Sequence, residues 1–261
     1  MGSRWWSGRA PEGQNPTVSQ YTFGDDRPAL ERLRLVAAAY EPVSSAFLAA
    51  NSPATVDVAL DLGCGPAFST QLLAEVCAPG TLIGVDSSAE FLESARGRLP
   101  KAQFVRHDVT ATPLPGSPAR LLYSRLLLAH LPDPAAVVGR WLSQLQPDGV
   151  LLIEDLDEVL NPPGPLCRYE EVSTRIVHTG HGSMYGGAAL AHLGGETHPV
   201  TVPGSLAARI YLFNVRRWLR SPAASVPEEG LEELEQGLMG LVRDDRGDTV
   251  TWVVRQLAIC A

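Results

Sequence analysis

The chain has 261 residues, 45% of them hydrophobic and 19% charged, a globular composition with enough length for one substantial core. A net charge of -8 argues against a nucleic-acid partner, whose phosphates need a basic stripe. Four scattered cysteines without a CxxC pair suggest neither a disulfide framework nor a zinc site, and the absence of a leader-like start or an 18-residue apolar run makes a soluble cytoplasmic protein the expectation.

Residues 1–20 are rich in Gly, Pro, Ser, Asn and Gln and read as an irregular arm. Asp26 and Pro28 give a helix-start signal, followed by Leu30, Leu33, Ala37 and Tyr40 at helical spacing. Pro42 is expected to end that helix, and a second short one to cover Ser44–Ala50. From residue 55, short apolar strands alternate with amphipathic helices. Strands are expected at Val56–Leu62, Thr81–Val85, Gln103–Arg106, Arg120–Tyr123 and Val150–Ile153. Helices are expected at Ser69–Val76, after a Ser87/Glu90 capping box with Phe91, Leu92, Ala95 and Leu99 buried, and at Pro134–Leu145. Pro147-Asp148-Gly149 reads as a turn. Five βα units in a row mean a parallel sheet with helices on both faces. The rhythm then breaks in a Gly-, Pro- and His-rich segment, 156–195, with a helix near Leu166–His178. A sixth strand is expected at His198–Val202 and helices at Ser205–Arg220 and Pro227–Arg243. The run Val250–Ile259 fits a final strand antiparallel to the sixth. The acidic residues Glu228, Glu229, Glu232, Glu233 and Glu235 read as a solvated helix face, and no metal site is expected.

In open α/β sheets, ligands sit beyond the carboxyl ends of the strands. The first strand there runs into DLGCGPAFST (61–70), a glycine turn that lacks the third glycine of the dinucleotide fingerprint, with Phe68 in its place. The next strand ends bring Asp86, His107-Asp108, Ser124-Arg125 and Glu154-Asp155. Acids at these positions, with no lysine near the turn, suit a pyrophosphate poorly. They suit a nucleoside without phosphate and tolerate positive charge on it: Asp86 for the ribose hydroxyls, Asp108 and the Val109 amide for the base. The bland alternatives are a tight strand–helix turn at Gly63 and Gly65, and helix capping at Asp86.

The series VALDLGCGPAFST, LIGVDSS, VRHDV, LLYSRLLLAHL and PDGVLLIEDL resembles the class I S-adenosylmethionine-dependent methyltransferases, above all those acting on small molecules of bacterial metabolism, over roughly residues 20–260. The resemblance implies an α/β, Rossmann-like, doubly wound sheet of seven strands in the order 3-2-1-4-5-7-6, with strand seven antiparallel. It implies an N-terminal arm and helical cap over 1–50 and a methyltransferase domain over 51–261, with an insertion after strand five serving the acceptor. It also implies S-adenosylmethionine as cofactor and a cofactor set: Gly63, Cys64 and Gly65 along the methionine end, Asp61 at its amino group, Asp86 and Ser87 at the ribose, Asp108 and Val109 at the adenine, with Tyr21, Arg32 and Arg125 covering or reaching it. Ala67 stands where the family commonly has a third glycine; its methyl is small, so binding is expected to survive with a slightly shifted loop.

The implied reaction moves a methyl group to a nitrogen, oxygen or carbon of a small metabolite, aromatic or amine-bearing. Its pocket is expected from Arg125, His130, Asp155, Tyr169, His178, His181, Met184 and Tyr185. His130, His178, His181 and Tyr185 are the residue types that orient or deprotonate an acceptor. A monomer or homodimer without nucleic-acid or membrane partners is expected. The competing readings are a nucleic-acid methyltransferase, a non-catalytic protein that keeps the cofactor pocket, and an NAD-dependent dehydrogenase.

Overall fold

The computed structural model describes residues 23–160, 162, 164–179, 182–220, 230–244 and 247–261. The first element among the described residues is one long helix, α1 (Arg27–Asn51), whose N-cap Asp26 accepts from the Ala29 amide at 3.1 Å. Pro42 lies inside this helix, so the two helices expected from the sequence are one. An interior proline costs about 3 kcal/mol. Burial of Phe47 and Leu48 beyond it, each about 1.5–3 kcal/mol, offsets that cost.

The sheet is built from β1 (Val58–Leu62), β2 (Thr81–Asp86), β3 (Gln103–Arg106), β4 (Ala119–Arg125), β5 (Leu145–Leu160), β6 (Glu196–Pro203) and β7 (Thr249–Cys260). Its seven strands run in the order β3-β2-β1-β4-β5-β7-β6. The first five are parallel, and β7 pairs antiparallel with both β5 and β6. Helices α2 (Phe68–Cys77), α3 (Ala89–Arg98) and α4 (Pro134–Leu142) connect the parallel strands. Helices α5 (Pro165–Thr179) and α6 (Gly186–Ala189) follow β5, and α7 (Gly204–Arg220) and α8 (Leu231–Arg243) lie between β6 and β7. The apolar faces of α5, α7 and α8 form one core cluster with β6 and β7, including Tyr169, Tyr211, Trp218 and Trp252. A second cluster packs α4 under β1, β4 and β5 through Val137, Val138 and Trp141.

Five local expectations are corrected. The cap of α3 is Ser88, whose hydroxyl accepts from the Phe91 amide at 3.1 Å, one residue later than the Ser87 box; Leu99 is the C-cap, half-buried but still packed against the core. Helix α4 stops at Leu142, because Leu145 already begins β5. The Pro147-Asp148-Gly149 turn is an irregularity inside the long β5, where the register against β4 shifts and Asp148 takes φ 60°. No helix joins β3 to β4, so the βα alternation is broken there by residues 107–118. Strand β5 also runs past Ile153 to Leu160, since β7 gives that extension a partner. Part of the helix expected from Pro227, with Glu228 and Glu229, lies outside the described residues; Glu232 and Glu233 are exposed on the first turn of α8. Among the described residues no helix is long and apolar enough to cross a membrane, and no cluster of His, Cys, Asp and Glu is placed to hold a metal ion.

Candidate active site

The turn after β1 is held against β2 by two backbone bonds, from Gly63 and Cys64 to the Val85 carbonyl at 2.8 and 3.0 Å. Gly63 and Gly65 take φ 71° and 52°, the left-handed region that glycine enters without a Cβ clash. A Cβ at Gly63 would meet Leu127 at 2.7 Å, whereas one at Gly65 would meet nothing within 4 Å. Beside Gly65 the backbone therefore borders open space.

Asp86 closes the other side of that space. One carboxylate oxygen accepts from the Gly65 amide and the other from the Ser88 amide, both at 2.8 Å. Burial raises its pKa, and the backbone amides pull it back. Asp61 is fully buried. One oxygen accepts from the hydroxyls of Ser69 and Thr70 at 2.7 and 2.6 Å; among the described residues the other has no hydrogen-bond partner. Burial pushes Asp61 up to about 6 against the pull of those hydroxyls. An orphaned buried acceptor costs free energy unless something donates to it, and a ligand amino group has that chemistry.

The remaining predicted cofactor residues separate. Asp108 is exposed, and one of its oxygens accepts from both the amide and the hydroxyl of Thr110 at 2.8 Å. Val109 is buried, and its carbonyl accepts from Trp141 Nε1 at 2.8 Å. Ser87 is exposed. The Cys64 side chain turns into a small cluster with Ala67, Leu92, Ala95 and Phe104, and burial raises its thiol well above the usual range, so only its backbone borders the turn. Arg125 reaches the Ser44 hydroxyl of α1 at 3.3 Å and lies near enough to Asp61 to stabilise its charge. Tyr21 lies outside the described residues.

Ala67, the N-cap of α2, takes φ 68° and ψ 29° and is fully buried. The left-handed conformation costs a non-glycine residue about 1–2 kcal/mol. Ala67→Gly should relieve that strain but lose a buried methyl worth about 0.8 kcal/mol. The two nearly cancel, so its thermal midpoint should stay within about 3 °C of the parent. A larger drop in a melting curve would mean that the methyl packing dominates.

On the far side of the β4 end a cavity opens between α1, β5, α5 and α7, with Trp252 of β7 in its wall. Of the predicted acceptor residues it gathers His130, Asp155, Tyr169 and Met184, together with Arg32. His178 is exposed at the end of α5, His181 lies outside the described residues, and the half-buried Tyr185 sits near Glu170 without lining the cavity. Burial, helped by the charge of Arg32, pulls His130 down to about 4, so its ring is neutral at pH 7. Asp155 accepts from the Leu128 and Leu156 amides at 2.8 and 3.0 Å; burial pushes it up to about 7, with these amides pulling it back.

Sequence reading missed Glu170, Tyr211, Asn214, Tyr40 and Trp252 in this wall. Three of them, Glu170, Tyr211 and Asn214, had a helical signal. Leu166, Tyr169, Glu170, Ser173, Ile176 and Val177 share one buried face of α5, and Ile210, Tyr211, Asn214, Val215 and Trp218 share one of α7.

The segment 126–130 joins the two halves of the site. Leu127 packs on Gly63, while Leu126, Ala129 and His130 line the cavity. A glycine turn with a carboxylate at the following strand end, set beside a half-open cavity on a sheet with one reversed strand, has the chemistry to hold a nucleoside cofactor next to a second ligand. Residues 60–153 match the family model described as a methyltransferase domain, and in that stretch the chain is similar to the class I S-adenosylmethionine-dependent methyltransferases. Trans-aconitate 2-methyltransferase of Azoarcus sp. (strain BH72) is 34% identical over 200 residues, covering 74% of this chain and 65% of that one. The enzyme of the same name from Paracidovorax citrulli is 44% identical over 105 residues, 40% of each chain. The chain thus spans less than two thirds of the length of these relatives. The fold is shared with the cyclopropane synthase MmaA2 from Mycobacterium tuberculosis (15% identity, TM-score 0.54, covering 85% of this chain and 84% of that one). It is also shared with coclaurine N-methyltransferase (12% identity, TM-score 0.53, covering 84% and 72%).

Proposed function

We propose that the protein transfers the methyl group of S-adenosylmethionine to a nitrogen, oxygen or carbon atom of a small, aromatic or amine-bearing metabolite held in the cavity. The observation that carries this is the 126–130 segment, which has the glycine turn on one side and the cavity on the other. A cofactor on the turn and an acceptor in the cavity would meet across it.

In this reading the orphaned Asp61 oxygen accepts from the cofactor's amino group, the open space at Gly65 admits its backbone-hugging methionine end, and Asp86 takes the ribose hydroxyls. Asp108 and the Val109 amide hold the adenine, Arg125 balances Asp61, and Tyr21 and Arg32 cover the cofactor from the N-terminal side. The cofactor supplies an electrophilic methyl on a sulfonium. The chain's part is alignment and exclusion of water, which together account for much of the acceleration in such displacements. His130, neutral at pH 7, orients an acceptor and is too weak a base to strip its proton.

Calorimetry tests the cofactor assignment. S-adenosylhomocysteine should bind in preference to NAD; the reverse preference overturns it. Mass spectrometry across amines, phenols and indoles should then find a product one CH2 heavier. A tricarboxylate acceptor, suggested by the name of the relatives, is the second reading, and Arg32 in the cavity wall favours it.

A further inference from the structure

Resting on that methyltransferase reading, we infer that the methyl acceptor carries a basic amino group, and that Glu170, within a wall of stacked aromatic rings, is the residue that binds it. Glu170 lies on the cavity side of α5 and is only 7% exposed. Among the described residues neither of its oxygens has a hydrogen bond of good geometry, although the Tyr211 and Tyr185 hydroxyls stand close enough to ease its charge. The side-chain oxygen of Asn214, 3% exposed in the same wall, is a second acceptor without a donor. Tyr211 stacks on Tyr169 with ring centres 3.7 Å apart, and its hydroxyl accepts from Trp252 Nε1 at 3.0 Å, which leaves its own proton to donate.

Buried acceptors without a well-aligned donor call for a ligand that donates, and the faces of aromatic rings attract cations. Both features favour an ammonium. A tricarboxylate would bring three negative charges to a wall that already holds Glu170 and Asp155 and whose one permanent cation, among the described residues, is Arg32. Such a ligand would offer the Glu170 and Asn214 oxygens no donor and would add like charge beside them.

The chemistry balances. Glu170 accepts one proton from the bound ammonium, freeing the nitrogen lone pair. That pair forms the new nitrogen–carbon bond as the methyl–sulfur bond of the sulfonium breaks, and the breaking pair stays on sulfur. The product leaves as the methylated ammonium, and Glu170 then gives its proton to solvent, which restores the carboxylate.

The test uses the full chain with S-adenosylmethionine and three acceptors: phenethylamine, its phenol counterpart tyrosol, and trans-aconitate. The expected result is a methylated product from the amine, with little from the other two. Methylation of trans-aconitate alone, or of tyrosol alone, overturns the inference while leaving the methyltransferase reading intact. Failure to bind S-adenosylhomocysteine would instead sink that underlying reading. Glu170→Gln should lower kcat/KM for the amine at least about tenfold, through a higher KM from the lost ion pair and a lower kcat from the lost proton acceptor, with S-adenosylhomocysteine affinity unchanged. A variant with unaltered KM would remove Glu170 from amine binding. Calorimetry of N,N-dimethylphenethylamine with the parent protein and S-adenosylhomocysteine gives a variant-free check: binding supports the inference, and no binding counts against it.

Discussion

Asp86→Ala should raise the dissociation constant of S-adenosylhomocysteine roughly 10- to 150-fold, the equivalent of a charge-assisted hydrogen bond worth about 1.5–3 kcal/mol. The magnitude follows from where the carboxylate sits. Its two oxygens already hold the Gly65 and Ser88 amides, one each at 2.8 Å. An ionised carboxylate has about four acceptor positions, so two stay free for the two ribose hydroxyls. Alanine removes both the ligand contact and the pin that fixes the glycine turn. Asp86→Asn separates these effects: its amide group cannot accept from one of the two backbone amides, so the turn loosens even though the side chain stays polar. Calorimetry on both variants, with a melting curve to confirm folding, gives the answer. Parent-like affinity in the alanine variant would place the ribose elsewhere and remove Asp86 from the cofactor set.

The sheet was legible because its signal is repetitive. Strands buried on both faces read as apolar runs, and each is followed by an amphipathic helix or a turn. The final apolar run had no helix after it, which is why its antiparallel pairing could be read before any coordinates. The errors fall where tertiary contacts override a local rule. Pro42 is a breaker by itself, yet Phe47 and Leu48 find a core to enter and the helix continues through it. The extension of β5 to Leu160 depends on β7, about 100 residues away in sequence, and nothing local announces it. At the site, the glycine turn and Asp86 were visible because their spacing is local. Glu170 was not, since a glutamate in an amphipathic helix is ordinarily on the wet face. Only its phase with Leu166, Tyr169 and Ser173 marks it as an inward carboxylate.

That inward carboxylate carries the second large expected effect, on stability. Burial pushes Glu170 up to about 7 from 4.5, so the folded state holds its proton more tightly than the unfolded one. A raised carboxyl pKa makes the folded state bind more protons, and stability therefore falls as pH rises from about 4.5 to about 7. The full penalty, about 3 kcal/mol, is present above that window and absent below it. Asp61 and Asp155, raised to about 6 and about 7, act in the same direction, while His130, lowered to about 4, acts in the opposite one. All three are common to parent and variant, so they largely cancel in the difference. Glu170→Gln should consequently melt roughly 6–12 °C above the parent at pH 8, in the absence of acceptor, and close to it at pH 4. Equal gains at both pH values would mean that the charge is not the source. A loss at pH 8 would mean that the carboxylate is held by bonds that glutamine cannot replace. A group that destabilises the empty protein when charged is relieved by a cationic ligand. The amine should therefore raise the melting temperature of the parent at pH 8 and leave that of the variant nearly unmoved, so one residue links the stability profile to the choice of acceptor.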